Sequence, residues 1–213
     1  MKFAKKLAVA AALAATSMFA SASFTLTFEG VGDLNPVGNY YNGGAGGNLG
    51  VSFSSDALGL VDSSAGGSGN TGNDPSGITT LLFLANTAVL NYAAGFQDGF
   101  SFYYATPNTA GYVSVYSELD KGGSLLGTIQ LPIIGTAPGG STYDLWAIGS
   151  LSLAAGVTAK SIDFGGTPNF IVFDNVTFGS VNPNPVPEPS TYALILGGLA
   201  GVAAIARRRK ASV

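Results

Sequence analysis

Residues 99–105 read G-F-S-F-Y-Y-A, and this stretch indicates the fold class. If the segment is extended, Phe100, Phe102 and Tyr104 share one face, while Ser101 and Tyr103 share the other. Apolar residues at every second position are typical of a strand with one face on the core. The pattern therefore predicts a β-strand over Gly99–Ala105.

The same alternation recurs on both sides of this stretch, in short apolar runs separated by Gly, Asn, Ser and Asp. No segment shows the periodicity of an amphipathic helix. Many short strands with turn residues between them are typical of an antiparallel sandwich. We predict an all-β, jelly-roll-like sandwich of two antiparallel sheets, with strands at Phe24–Phe28, Gly50–Phe53, Thr79–Leu84, Ala88–Tyr92, Gly99–Ala105, Tyr112–Glu118, Leu125–Leu131, Thr142–Ile148, Ser161–Phe164 and Phe170–Phe178.

Two long irregular segments interrupt this pattern, Gly30–Gly50 and Asp62–Gly77. Long loops inside a compact domain are usually functional or disordered. A Gly67-x-Gly69-x-x-Gly72 spacing occurs in the second segment, but it does not open a helix as a dinucleotide site requires. We therefore expect each of the two segments to be either functional or disordered.

Composition excludes several kinds of chemistry. The chain has no cysteine and no histidine, which removes disulfides, Cys-His and Ser-His-Asp catalysis and the usual zinc ligands. Between residues 23 and 186 lie two lysines and eleven acids, so this region carries a net charge of −9 although the whole chain carries −3. Such a surface disfavours nucleic acid, whose binding depends on Lys and Arg. It is compatible with hard cations such as Ca²⁺.

The N-terminus has the features of an export signal. Lys2, Lys5 and Lys6 precede an apolar run from Leu7 to Phe19, which ends in the small residues 20–22, A-S-A. A basic start, a short apolar stretch and an A-x-A site are typical of a secretory signal peptide. We predict a signal peptide over 1–22, with a retained N-terminal anchor as the alternative.

The C-terminus combines a proline-rich linker with a second apolar segment. Residues 181–190 read V-N-P-N-P-V-P-E-P-S, and proline favours extended backbone. Residues 191–206 carry no charge and, as a helix, would cover about 24 Å, a marginal membrane span. Arg207, Arg208, Arg209 and Lys210 follow and should remain cytoplasmic. We predict a transmembrane helix with a basic tail over 191–213.

Pro187-Glu188-Pro189, the apolar span and the terminal cluster Arg207-Arg208-Arg209 together resemble the PEP-CTERM sorting signal. This resemblance implies processing by an exosortase, after Sec-dependent export to the inner membrane. The precursor would be tethered there transiently, and the mature form would lie at the cell surface or outside the cell, near extracellular polysaccharide. The alternative is a plain C-terminal membrane anchor.

Two acids at opposite ends of the domain suggest a metal site. Glu29 follows the first predicted strand in an F-E-G string, and Asp174 lies in the last strand in an F-D-N-V string. These strings resemble those of carbohydrate-binding jelly rolls, and the resemblance implies a structural Ca²⁺ held by Glu29, Asp174 and loop carbonyls near Asn42. The alternative is that Glu29 is a surface acid at the end of a strand and that Asp174 caps a turn or bonds to backbone groups.

Tyr103, Tyr112 and Tyr116 lie at the outward positions of their predicted strands, so they are candidates for a platform that stacks on sugars. Ordinary cross-strand packing is the alternative. Taken with the termini, the β-sandwich over 23–180 is predicted to be non-catalytic, with an adhesive or structural role in or near exopolysaccharide. A carbohydrate-binding module and a secreted glycosidase remain the other possibilities.

Overall fold

The computed structural model describes residues 23–183, and the described part is all-β with antiparallel sheets. It has one short 3-10 helix, Ser63–Ala65. Its strands are β1 Phe24–Leu26, β2 Asn42–Gly44, β3 Gly47–Asn48, β4 Val51–Phe53, β5 Ala57–Val61, β6 Thr79–Phe83, β7 Ala88–Phe96, β8 Gly99–Ala105, β9 Gly111–Tyr116, β10 Leu125–Leu131, β11 Ala147–Ser152, β12 Ala159–Gly166 and β13 Val172–Phe178.

The predicted signal peptide, 1–22, and the predicted transmembrane helix, 191–213, lie outside the described residues. Within 23–183, no helix is long and apolar enough to cross a membrane.

Two sheets form the sandwich. Sheet I has the order β11-β8-β13-β6-β5, and β1 also pairs with β13; sheet II has the order β10-β9-β12-β7-β4. The small pair β2-β3 stands apart as a two-stranded sheet. From β7 onward the chain passes repeatedly between the two sheets, so most neighbouring strands within a sheet are not consecutive in the sequence; β5–β6 and β9–β10 are the consecutive pairs among the two sheets of the described domain.

An aromatic core fills the space between the sheets. Phe100 and Phe102 of β8 point inward, as the alternation in the sequence predicts, and meet Phe164 of β12 and Phe173 of β13. The Phe102 ring lies 6.0 Å from the Phe164 ring and 5.7 Å from the Phe173 ring, both near edge-to-face. Such ring pairs add to the stabilisation that burial alone provides. In the absence of disulfides, this core is the main source of stability in the described domain.

The predicted strands differ from the observed ones in informative places. β8 and β10 have the predicted bounds. The strand predicted over Thr142–Ile148 is wrong for most of its length, since β11 runs from Ala147 to Ser152. Tyr143 and Trp146 belong instead to a loop that packs on the outside of sheet I, where they cover Leu82 and Val172. This second, smaller apolar cluster attaches the loops to the sandwich.

We predict that Phe102→Ala lowers the free energy of unfolding by about 3–5 kcal/mol, the usual cost of emptying a large buried aromatic site. Phe102 is fully buried. The measurement is urea denaturation followed by fluorescence and circular dichroism. Ile148→Ala is the matched control, because Ile148 lies on the neighbouring strand and is 52% exposed. A loss in the control as large as that in Phe102→Ala would contradict the proposed dominance of the core.

Candidate functional site

The long loop from Asp62 to Gly77 is held in place by its own polar residues and by contacts with a neighbouring loop. Asp62 caps the 3-10 helix, since its Oδ1 accepts a hydrogen bond from the Ser64 amide at 2.7 Å. Thr71 forms a parallel bridge with Tyr143, and Trp146 donates its ring N–H to the Gly72 carbonyl at 3.0 Å. A loop that is rich in glycine and serine is thus ordered by contacts with the 132–146 segment.

Glu29 and Asp174, the two predicted metal ligands, both bind the end of this loop. Asp174 Oδ2 accepts the Ser76 amide at 2.8 Å, and its Oδ1 accepts the Asn175 amide at 2.7 Å. Glu29 Oε1 accepts the amides of Ile78 and Thr79, at 3.0 and 2.8 Å. The structure therefore brings the two acids to adjacent positions along the same short segment, where both accept backbone hydrogen bonds.

Gly77 makes this close approach possible. Its φ is +51°, and a Cβ at this position would lie 2.2–2.5 Å from the carboxylate atoms of Glu29. Any side chain would therefore push the Glu29 carboxylate away from the amides that it binds.

Asp174 is completely buried, and burial raises its pKa to about 7. Hydrogen bonds from Asn175 and Ser76 oppose this rise, and the charge of Asp74 adds to it. Burial likewise raises the pKa of Asp74. A carboxylate in such surroundings is either partly protonated at neutral pH or stabilised by a cation.

Asn42, the third predicted ligand, lies elsewhere on the hairpin β2-β3. It is exposed, its amide donates to Asn39 Oδ1 at 3.4 Å, and it lines a shallow cavity over sheet II together with Asn48 and Leu49. Among residues 23–183, no group of three or more acidic, histidine or cysteine side chains is placed to hold a metal ion. Calcium binding stays a prediction, and backbone carbonyls would have to complete any site.

The three predicted platform tyrosines do not share one surface. Tyr103 lies in β8 of sheet I, where it pairs with Asp174 and Ile148. Tyr112 and Tyr116 lie in β9 of sheet II, on its outer face. A single platform of three rings is therefore ruled out by the assignment of strands to sheets, which no local pattern reveals. Tyr112 and Tyr116 remain together.

A second candidate site is a cleft at one end of the sandwich, with a volume of about 560 Å³. This loop-end cleft is formed by the ends of strands and by loops: Leu60, Ser68, Gly69, Asn70, Pro107, Asn108, Thr136, Thr142, Tyr143, Asn169 and Phe170. Phe170 is 37% exposed, although phenylalanine is otherwise a core residue in this domain. Tyr143 is buried below it, and its hydroxyl donates to the Asn169 carbonyl at 2.7 Å.

The lining of the loop-end cleft is uncharged. Among the residues that line it there is no acid and no lysine, while Asn70, Asn108 and Asn169 are exposed around its rim. Amides and hydroxyls both donate and accept hydrogen bonds, and an exposed ring offers a flat apolar surface. This combination can bind a neutral, hydroxylated ligand with one apolar face. None of these lining residues is a carboxylic acid, whereas most glycosidases use two carboxyl groups that flank the bond.

Sequence reasoning missed this cleft because its residues come from four separate loops and from β5. Tyr143 was placed inside a predicted strand, and Phe170 at the start of another. The one available signal was that Asp62–Gly77 is a long irregular segment, a kind of loop that is usually functional or disordered; it forms one wall, through Ser68, Gly69 and Asn70.

Comparison with known proteins confirms the resemblance found at the C-terminus. Residues 185–210 match the PEP-CTERM protein-sorting motif, the tail of exosortase substrates. The chain therefore has the tail of an exported protein that is sorted by an exosortase. No curated protein matches the chain.

Several solved structures share a distant likeness to the chain. A carbohydrate-binding module from Cellvibrio mixtus lichenase 5A, solved with cellotriose, is 12% identical, with 58% of this chain and 86% of that chain covered and a TM-score of 0.40. A family 43 arabinoxylan arabinofuranohydrolase from Bacillus subtilis is 16% identical, with 58% and 24% covered and a TM-score of 0.38. The catalytic domain of a GH87 α-1,3-glucanase is 15% identical, with 78% and 29% covered and a TM-score of 0.44. Likenesses this distant say nothing about what this chain binds.

The raised pKa of Asp174 predicts how stability depends on pH in the presence of EDTA. The folded state holds the Asp174 proton up to about pH 7, whereas the unfolded chain loses it near the ordinary value of 3.8. Between these values the folded state binds more protons, so the free energy of unfolding should fall as pH rises from 4 to 7, by roughly 4 kcal/mol at most.

Urea denaturation at successive pH values measures this slope. Asp174→Asn should be less stable at every pH, because an amide cannot accept all the same hydrogen bonds, but its slope between pH 4 and 7 should be much flatter. Ser101→Ala, which removes another fully buried polar side chain of sheet I, should keep the wild-type slope. An unchanged slope in Asp174→Asn would contradict the assignment to Asp174.

Proposed function

We propose that this protein is an exported, non-catalytic, glycan-binding protein that is sorted through its PEP-CTERM tail and acts as an adhesive or structural component of extracellular polysaccharide. Its body is a jelly-roll-like β-sandwich. The observation that carries the proposal is the loop-end cleft, whose uncharged lining combines the exposed Phe170 ring with a rim of three asparagines. This surface suits a neutral sugar.

The charges of the domain support a neutral rather than an anionic ligand. The described residues contain two lysines, and both form ion pairs: Lys160 with Glu118 at 2.8 Å and Lys121 with Asp163 at 3.8 Å. Neither lines the loop-end cleft. With a net charge of −9, the domain repels a polyanion at low ionic strength.

Because an aromatic contact contributes roughly 1 kcal/mol and 1.4 kcal/mol is a factor of ten, we predict that Phe170→Ala weakens glycan binding about fivefold. The assay is affinity electrophoresis in gels that contain the host's own extracellular polysaccharide, or a neutral glucan, or the same glucan after carboxymethylation.

Leu125→Ala, which removes another exposed apolar side chain from an edge strand outside the loop-end cleft, is the matched control and should bind as the wild type does. Retardation by the neutral glucan that exceeds retardation by its carboxymethylated form would support the proposed ligand class. Glycan binding that is unaffected by Phe170→Ala would contradict the assignment of the loop-end cleft as the glycan-binding site.

The rival hypothesis is a secreted glycosidase. Release of reducing sugar from the host's polysaccharide by the purified protein would favour it. The absence of any carboxylate among the residues that line the loop-end cleft counts against hydrolysis at this site.

We also propose that Ca²⁺ stabilises the domain through Glu29 and Asp174. The supporting observation is that Asp174 is a fully buried carboxylate whose contacts come from amides and a hydroxyl rather than from a lysine. Calcium prefers carboxylate and carbonyl oxygens of this kind.

We predict that 2 mM CaCl₂ raises the urea midpoint at pH 7, because a ligand that binds only the folded state stabilises it. At pH 4, where Asp174 is protonated, CaCl₂ should have little effect on the midpoint. The measurement compares CaCl₂ with EDTA, with MgCl₂ as the ionic control. An equal midpoint in Ca²⁺ and EDTA at pH 7 would mean that the two acids only anchor the loop.

A further inference from the structure

The outer face of sheet II contains a buried carboxylate that has not been assigned a role. Asp163 lies in β12 between Ile162 and Phe164, whose side chains enter the core, so the Asp163 side chain points to the outer face. The residue is only 4% exposed, yet its Oδ1 has no hydrogen-bond partner among the described residues. Leaving a buried acceptor unpaired is unfavourable, so a donor supplied by a ligand would be stabilising.

The turn between β9 and β10 forms one wall beside Asp163. Asn91 Oδ1 accepts the Asp120 amide at 2.8 Å, and Ser161 Oγ accepts the Lys121 amide at 3.0 Å. These bonds hold the turn against the face of the sheet and bring Lys121 Nζ to 3.8 Å from Asp163 Oδ2. Lys121 thus lies beside Oδ2 of Asp163, and Oδ1 is left to accept a hydrogen bond from another group.

Tyr112 forms the opposite wall. It pairs with Gly165, two residues along β12 from Asp163, and a Cβ at Gly165 would lie 2.3–2.6 Å from the Cζ, Cε2 and Oη atoms of Tyr112. The ring can lie against the backbone of the sheet only because position 165 has no side chain. Burial, together with the charges of Asp163 and Tyr116, raises the pKa of the Tyr112 hydroxyl, in keeping with this proximity.

The floor between these walls is polar. Ser114 lies opposite Asp163 in the neighbouring strand and shares a hydrogen bond of 3.0 Å with Thr128 of β10. Lys121 beside the carboxylate disfavours a second cation, and the carboxylate itself disfavours an anion. What remains is a neutral ligand with a hydroxyl donor and a flat apolar face, which describes a sugar ring.

We propose that this face of sheet II is a second glycan-binding site, in which the Tyr112 ring stacks on a neutral sugar and Asp163 Oδ1 accepts a hydrogen bond from a sugar hydroxyl. The inference rests on the proposed function and extends it. The loop-end cleft and this face are built by different strands, so one molecule would hold two glycan segments and cross-link them.

The test is isothermal titration calorimetry of the exported protein, recovered from its native culture, with a hexasaccharide fraction prepared from the host's own extracellular polysaccharide. The wild type should bind two ligands. Tyr112→Ala and Asp163→Asn should each reduce the number to one, or weaken one site about fivefold or more. Tyr112→Phe, which keeps the ring, and Lys121→Met, which keeps the carboxylate, should still bind two.

Phe170→Ala separates the two sites. It should also leave one ligand, and the Tyr112→Ala/Phe170→Ala double variant should leave none. Urea midpoints near that of the wild type confirm that each variant is folded.

Each of the other outcomes contradicts at least one of the two proposed glycan-binding sites. One ligand in the wild type, lost in Phe170→Ala and unaffected by Tyr112→Ala and Asp163→Asn, overturns the second site and leaves the proposed function intact. One ligand that depends on Tyr112 and not on Phe170 supports this site and overturns the role of the loop-end cleft. No binding by the wild type overturns both.

Discussion

The Asp174 carboxylate is fully buried in the last strand, and its bonds to Ser76 connect that strand to the end of the long loop. Much of the functional architecture depends on this contact. The loop that Asp174 and Glu29 hold by its end provides one wall of the loop-end cleft and, through Gly72, the acceptor for Trp146. If this anchor failed, the sandwich core would persist, but the surfaces built from loops would lose their shape.

Acids perform the same task elsewhere in the domain. Asp33 accepts the amides of Val61 and Ser68, Asp62 accepts that of Ser64, and Asp144 accepts that of Ala137. Hydrogen bonds from amides to a charged acceptor are among the stronger ones, and each fixes a stretch of irregular backbone. This gives a physical reason for the strongly acidic composition. In a chain without cysteine, hydrogen bonds to carboxylates restrain loops that disulfides restrain in other exported domains.

The sequence predicted the parts of the structure that depend on local pattern. The alternation in 99–105 placed β8 correctly. The corresponding alternation in the next strand placed Tyr112 and Tyr116 on one face of β9. The strand β5, by contrast, was missed. Its central Gly59 interrupts the alternation, and a Cβ there would lie 2.7 Å from the Gly32 carbonyl of the preceding loop. The glycine is explained by a crossing chain that no local window contains.

Sites made of distant segments could not be predicted either, because a local window of sequence does not show which segments meet in the fold. Tyr103 and Tyr112 look equivalent along the sequence, yet they lie in different sheets because the chain passes between the sheets. Phe170 reads as the first residue of an apolar strand, but it follows Asn169, which adopts a positive φ of 65° in the turn before β13, and its ring is left partly exposed at the cleft. Only the folded structure shows which apolar residues lie outside the core and remain exposed.

The two proposed glycan surfaces share one physical property, which follows from how the charges are used. Both lysines of the described domain are paired with acids, so stacking and hydrogen bonds are what these surfaces offer a sugar. Ion pairs at a protein surface weaken as salt screens them, whereas contacts with a neutral sugar change little with ionic strength, because the sugar carries no net charge. A matrix protein that binds in this way would keep its hold on neutral polysaccharide over a wide range of salt. The excess of carboxylates would still keep it from adhering to nucleic acid and other polyanions in the same surroundings.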